Sequence, residues 1–190
     1  EIYNHRRLRD DLLRDTTFAG QSDTETLAKL LSRFPFEEIV PQLKGMFAIC
    51  LVDRKNRTVH LARDRFGQKP VYFWSSGKRF CSSSDSFLTA YASGVVRPNL
   101  DVYAQYLTPI NRESFLGINP LSTTFFENIH ALPAGYMASF CWDSGRMRTQ
   151  QYFCPSDLVS ETLHETLDKI PSKQLDDLFE EQLTRAILEQ

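Results

Sequence analysis

Apolar positions along the chain change their period twice. Leu8, Leu12 and Leu13 recur at helical spacing through HRRLRDDLLRD, which predicts an amphipathic helix over residues 5–14, closed off by the glycine of FAGQ. A second helix is expected to start at SDTE, where Ser22 and Glu25 stand at capping-box spacing and Leu27, Leu30, Leu31 and Phe34 continue the apolar stripe. After Pro41 the rhythm shortens: GMFAICLVD, RTVHLARD, PVYFW and RFCSS read as strands, with DRKNR a hairpin turn between the first two. Strands joined by such short links are expected to pair antiparallel, because a parallel return needs a crossover of about a dozen residues or more.

Helical rhythm returns over residues 84–93 and again over 99–107, the latter following Pro98 with Asn99 as its cap. FFENIHALPAGYMASFCW, residues 125–142, goes back to strand and turn, punctuated by Pro133 and Gly135, and a final strand is expected at QQYF. Residues 155–173 are polar and marked by Ser and Pro, which reads as a linker. Beyond it Leu175, Leu178, Phe179, Leu183 and Ile187 define a helix over 174–190. Segregated helices and antiparallel strands within residues 1–154 give an α+β class.

Composition narrows the function classes without naming a reaction. The 190 residues are 42% hydrophobic with 14 Phe, far from disordered or collagen-like bias, and a net charge of -2 gives no general electrostatic case for nucleic acid. Arg6, Arg7 and Arg9 read as the solvated face of a helix. The longest apolar run, Met46 to Val52, is far shorter than the roughly 20 residues that cross a bilayer, so no membrane partner is expected and the setting is taken as cytoplasmic. Cys50, Cys81, Cys141 and Cys154 form no CxxC pair and are expected to be buried free thiols. They and His5, His60, His130 and His164 show no metal-ligand spacing. His60, on a strand, reads as a satisfied or surface histidine.

The order EIYN, SDTE, LKGMFAICLVD, LARDRFGQKPVYFW, FFENIHALPAGY, QQYF resembles the N-terminal glutaminase domain of asparagine synthetases, class II (Ntn-type) glutamine amidotransferases. GMFA with a downstream RDRFGxKP is the specific combination. The likeness covers residues 1 to about 154, and LDDLFEEQLTRAILEQ is similar to the segment that enters the family's ATP-using synthetase domain. It implies a layered αββα, Ntn-hydrolase-like fold with antiparallel sheets. It also implies a ligase that takes ammonia from glutamine and passes it to an ATP-activated carboxylate, aspartate by default, with ATP and Mg serving the synthetase domain. In the family an Asn-Gly pair precedes EIYN, and the nucleophile is a cysteine at the mature N-terminus whose thiolate attacks the carboxamide while its own α-amine handles the proton. An α-amine titrates near about 7.7 to 8.0, close enough to neutrality to act as a base. Only a chain-terminal cysteine joins thiol and amine in one residue, and none of the four cysteines is terminal. The nucleophile, the Asn-Gly pair and the arginine for the glutamine carboxylate are therefore expected upstream of Glu1, and the stretch alone is expected to be inactive.

Two positions match the family's glutamine pocket: Glu1, after the Asn-Gly pair, and Asp23 of SDTE, whose counterpart binds the substrate's α-ammonium. Without the resemblance Asp23 is an acid in the first turn of a helix, favoured there by the macrodipole, and Ser22 and Glu25 are a helix cap. Arg63, Asp64, Arg65, Gly67 and Lys69 fall in a turn after a strand, where Gly67 can take a positive φ and Pro70 fixes the entry to the next strand. An Arg-Asp pair bracing that loop is preferred there to direct substrate contact. The chain departs from the family after Phe80, where Cys81, Ser82, Ser83 and Asp85 replace an Ala-Ser-Glu-basic pattern. Two rival readings stand beside the first: a β-lactam synthetase-like relative without glutaminase activity, and a non-catalytic partner-binding domain on the same scaffold. An exposed sheet edge would favour a homo-oligomer.

Overall fold

The computed structural model describes residues 1–107 and 122–154; the linker expected at 155–173 and the helix expected at 174–190 lie outside the described residues. Helix α1 spans His5–Leu12 and α2 spans Asp23–Arg33. Ser22 caps α2 by accepting the Thr24 N–H at 3.1 Å. The expected capping box is only half formed. Glu25 does not return to Ser22 but takes the amides of Ala19 and Gly20 at 2.8 and 2.9 Å, because the FAGQ turn brings those two donors over the start of the helix. A short helix α3, Phe36–Ile39, runs into a 3-10 turn at Val40–Gln42. The sequence pattern did not mark it, since four residues cannot display a helical period.

Among the described residues seven strands follow: β1 Ala48–Asp53, β2 Thr58–Arg63, β3 Tyr72–Ser76, β4 Arg79–Ser83, β5 His130–Ala131, β6 Tyr136–Cys141 and β7 Arg146–Gln151. They form two antiparallel sheets, ordered β1-β2-β6-β7 and β4-β3-β5. Hairpin pairing holds for β1 with β2 and for β3 with β4. It fails for β2 and β3, which are consecutive yet lie in different sheets. The link between them, residues 64–71, carries the chain from one sheet to the other instead of folding back. The last strand also differs from QQYF. Arg146–Gln151 pairs with β6, while Tyr152 and Phe153 leave the ladder and donate their N–H groups to the Gly135 carbonyl at 2.8 and 3.2 Å. RMRTQQ has no apolar alternation because β7 is an outer strand with mostly exposed side chains.

Strand periodicity sets the layers. Ile49, Ala62 and Met137 face the helices, where they join Leu8, Leu30, Phe36 and Leu43 in one core. Val59, Leu61, Phe73 and Ala138 point between the sheets, and Phe80 stacks on Phe140 there with centroids 4.8 Å apart. Trp74 and Ile129 pack with Ala90 of helix α4, Ser86–Ser93, on the far side of the second sheet. The order helix, sheet, sheet, helix is the αββα architecture. Each fully buried Leu or Phe in it, such as Leu61 or Phe140, stabilises the fold by about 1.5–3 kcal/mol. Helix α4 is capped by Asp85, which accepts from Leu88 N, and ends on Gly94 in the left-handed region at φ 77°. Helix α5, Leu100–Leu107, starts where Asn99 accepts the Val102 N–H.

The expectation of buried thiols is corrected. All four cysteines are free, but Cys50 is exposed and Cys81, Cys141 and Cys154 are only half-buried. Cys50 shares the outward phase of β1 with Ala48, opposite the buried Ile49. Among the described residues no helix is long and apolar enough to cross a membrane.

Candidate functional site

At the end of β1 nearest α2, a groove of about 480 Å³ opens between the first sheet and the link from β2 to β3. Its charged lining is Glu1, Asp23 and Lys69; Thr24, Ser84 and Cys50 add polar groups, and Leu27, Met46, Phe47 and Pro70 add apolar walls. That size suits a small organic ligand.

The start of the chain is built into this wall. Tyr3 N donates to Lys44 O at 2.8 Å and Met46 N to Glu1 O at 3.1 Å, with Ile2 bridged antiparallel to Gly45. Gly45 is needed for that approach: at φ 137° its backbone passes so close to Glu1 that a Cβ would collide with the Glu1 carbonyl. Asp23 then ties the segment to α2. Its Oδ2 accepts the Ile2 N–H at 2.9 Å and its Oδ1 the Thr24 N–H at 2.7 Å. The Ile2 amide, with help from the Thr24 amide and against partial burial, holds the Asp23 carboxyl below the usual aspartate range. An ionised carboxylate at the groove wall is ready for a cation, and two N–H donors fix its orientation.

Asp64 organises the other wall. Its side chain is fully buried, and its carboxylate accepts the backbone N–H groups of Phe66 at 3.1 Å, Gln68 at 2.9 Å and Lys69 at 2.9 Å. Its carbonyl takes Gly67 N and Gly135 N at 3.1 and 2.9 Å. Arg63 donates to the carbonyls of Lys69, Leu132 and Gly67 at 3.0, 2.8 and 2.8 Å. What the two side chains hold is therefore backbone, Asp64 gathering amides and Arg63 gathering carbonyls of one turn. Gly67 sits in the left-handed region at φ 68°, with the Arg63 guanidinium against it. Of the residues singled out from the sequence, Glu1, Asp23 and Lys69 share the groove, whereas Arg63, Asp64 and Gly67 lie behind it and shape the link on which Lys69 stands.

Sequence reasoning missed three contributors. Cys50 lines the groove, its Sγ 3.8 Å from Ser82 Oγ across the two sheets; within the apolar run from Met46 to Val52 no signal marks it as open. Tyr152 donates its hydroxyl to Arg63 O at 2.7 Å, and burial, reinforced by the nearby Asp64 charge, pushes the phenol's pKa strongly up. Phe153 lies under the Arg65 guanidinium and against Phe66. His60 is away from the groove, stacked on Phe36 with Nδ1 2.8 Å from Ser139 Oγ. Burial lowers its pKa, while Glu37 and Asp53 oppose the shift.

Comparison with known proteins bears on the family and the fold. A family model described as a glutamine amidotransferase domain matches residues 1–153. The chain is 35% identical over 85 residues to a putative glutamine-hydrolysing asparagine synthetase of Methanocaldococcus jannaschii, covering 45% of this chain and 16% of the relative. It is 28% identical over 164 residues to glutamine-hydrolysing asparagine synthetase 2 of Bacillus subtilis, covering 84% of this chain and 21% of the relative. The chain thus spans about a fifth or less of these relatives' length. Among solved structures, a glutamine phosphoribosylpyrophosphate amidotransferase from B. subtilis superposes with a TM-score of 0.52 at 17% identity, over 80% of this chain and 27% of that one, a likeness of fold.

Proposed function

Because the chain belongs to the glutamine amidotransferase domain family, we propose that its groove binds glutamine and serves an asparagine synthetase-like enzyme. In this reading the domain releases ammonia from the glutamine carboxamide, and a synthetase unit that uses ATP and Mg passes it to an activated carboxylate, with aspartate the default acceptor. The observation that carries the reading is Asp23: a carboxylate fixed by the Ile2 and Thr24 amides, ionised, and open to the groove. In this reading it takes the α-ammonium of an amino acid, and ion pairs with such oriented carboxylates are the stronger kind.

Asp23 would bind and orient, Glu1 would add negative potential beside it, and the apolar walls from Leu27, Met46 and Phe47 would exclude water from the ligand's methylene chain. The nucleophile in this scheme joins a thiol to a free α-amine in the same residue. Cys50, Cys81, Cys141 and Cys154, all internal to the chain, lack that amine, and the reading gives them no nucleophilic role. Among the described residues no three His, Cys, Asp or Glu side chains converge that could hold a metal ion, and ATP and Mg are assigned to the synthetase unit.

The test is calorimetric titration of the full chain with L-glutamine. Binding to the wild type with a loss of about tenfold or more in Asp23→Asn supports the reading, since a charge-assisted pair contributes about 1.5–3 kcal/mol. No binding by the wild type, or equal binding by the variant, refutes it. Ammonia release from glutamine by this chain with its four cysteines intact and no other thiol would overturn the assignment of the nucleophile.

A further inference from the structure

We infer that Lys69 is the residue of this chain that makes the groove selective for a ligand carrying an α-carboxylate. The inference rests on the reading of the groove as a glutamine site. The lining sets two carboxylates, Glu1 and Asp23, against two cations: the terminal ammonium of Glu1, which donates to Met46 O and acts on Asp23, and the side chain of Lys69, which stands on the other wall. Carboxylates alone would select for positive charge and accept any primary amine. An amino acid also carries a carboxylate, which the same two acids repel unless a cation stands within reach of it. Lys69 supplies that cation from inside this chain, in addition to any arginine that the family resemblance places outside it.

The backbone under Lys69 is more constrained than its exposure would suggest. Its N–H is held by Asp64 Oδ2 at 2.9 Å and its carbonyl by Arg63 Nε at 3.0 Å. Pro70 fixes the next φ, and Val71 O accepts the Leu132 N–H at 2.8 Å. Both residues flanking the peptide after Lys69 line the groove, as Lys69 and Pro70 themselves. A flexible, charged side chain thus leaves a backbone that cannot retreat, which lowers the cost of holding the ammonium near a ligand. The buried turn behind it accounts for this: fully buried Asp64 gathers three amides to aim one residue.

The experiment compares L-glutamine with its α-carboxamide analogue, which keeps the amine and side chain but carries no carboxylate. Their affinities for the full chain are measured by titration in the wild type, Lys69→Gln, Lys69→Arg and Asp23→Asn. The wild type is expected to prefer glutamine. Lys69→Gln is expected to cut that preference by about two- to fivefold, the range for a single partly exposed charge contact. Lys69→Arg should restore most of it, and Asp23→Asn should weaken both ligands while leaving their ratio in place. A wild-type preference that survives unchanged in Lys69→Gln, with glutamine still bound, overturns the role of Lys69 alone. A wild type that binds neither ligand overturns the glutamine site and this inference with it. Because the backbone bonds of Lys69 do not use its side chain, the variants should melt with the wild type; if Lys69→Gln does not, the ratio in Lys69→Met, which keeps the stem and drops the charge, decides.

Discussion

Replacing Asp64 by Asn tests whether the turn between the two sheets is held by one buried charge. The carboxylate spends Oδ1 on the amides of Phe66 and Gln68 and Oδ2 on that of Lys69. Asparagine has one oxygen. If it keeps the first two amides, its NH2 faces the Lys69 N–H, donor against donor, in a site with no exposure to water. Hydrogen bonds to a charged group contribute about 1.5–3 kcal/mol each, and a buried donor left unpaired costs about 1–3 kcal/mol. The charge removed was itself costly to bury, which offsets part of the loss. A net destabilisation of about 2–4 kcal/mol follows. With a urea slope of about 2 kcal/mol per molar, the unfolding midpoint of the full chain should fall by about 1–2 M. Asp10→Asn, on the exposed side of α1, serves as the control and should leave the midpoint in place. A shift below about 0.5 kcal/mol for Asp64→Asn would refute the account, because it would mean that the amides find equal partners without the carboxylate.

Asp23 is held below the ordinary aspartate range by the Ile2 amide first, so glutamine affinity should stay level as pH falls from 7 through about 4; a decline centred on the ordinary aspartate value would contradict this. His60 and His130 are both shifted down by burial. The unfolded chain therefore binds more protons than the folded one below about 6.5, and stability should fall as pH drops through that value and level off below the folded pKa values. Replacing both by Phe and Gln respectively should flatten the urea midpoint between pH 7 and 5, and an unchanged slope would rule the pair out as its source. Cys50, exposed in the groove, should be alkylated by iodoacetamide well before Cys81, whose thiol pKa burial raises, and glutamine should slow the Cys50 reaction; equal labelling rates by peptide mass spectrometry would count against the groove. β1 is an outer strand with Val52 at 54% exposure, so sedimentation should show concentration-dependent association that Val52→Lys weakens; identical profiles would exclude that edge.

Much of the scaffold was legible in the sequence because its signals are local. Leu27, Leu30 and Leu31 announce α2, and the apolar run from Met46 to Val52 announces β1 without telling its two faces apart. Asp23 could be placed at a helix start by pattern but acquired a role only through resemblance, since an acid in a first turn is ordinary. What escaped depends on distant partners. That β2 and β3 part company goes with Arg63 and Asp64 gathering backbone groups from Leu132 and Gly135, contacts between segments far apart in the chain. The course of β7 was missed because an outer strand has no need of apolar alternation. The pattern puts Tyr152 in a strand, whereas its hydroxyl reaches Arg63 O across 89 positions of sequence.

Gly135 joins three of these parts at a single residue. Its N–H goes to Asp64 O, its carbonyl receives Tyr152 and Phe153, and at φ 70° any side chain would press on the Phe153 carbonyl. The turn that shapes one wall of the groove is thus fastened from Tyr152 and Phe153, like a clasp whose two halves are made 89 positions apart. An expression boundary drawn before residue 150 would leave that clasp open, and any longer protein that borrows this module must carry residues 150–153 along with it.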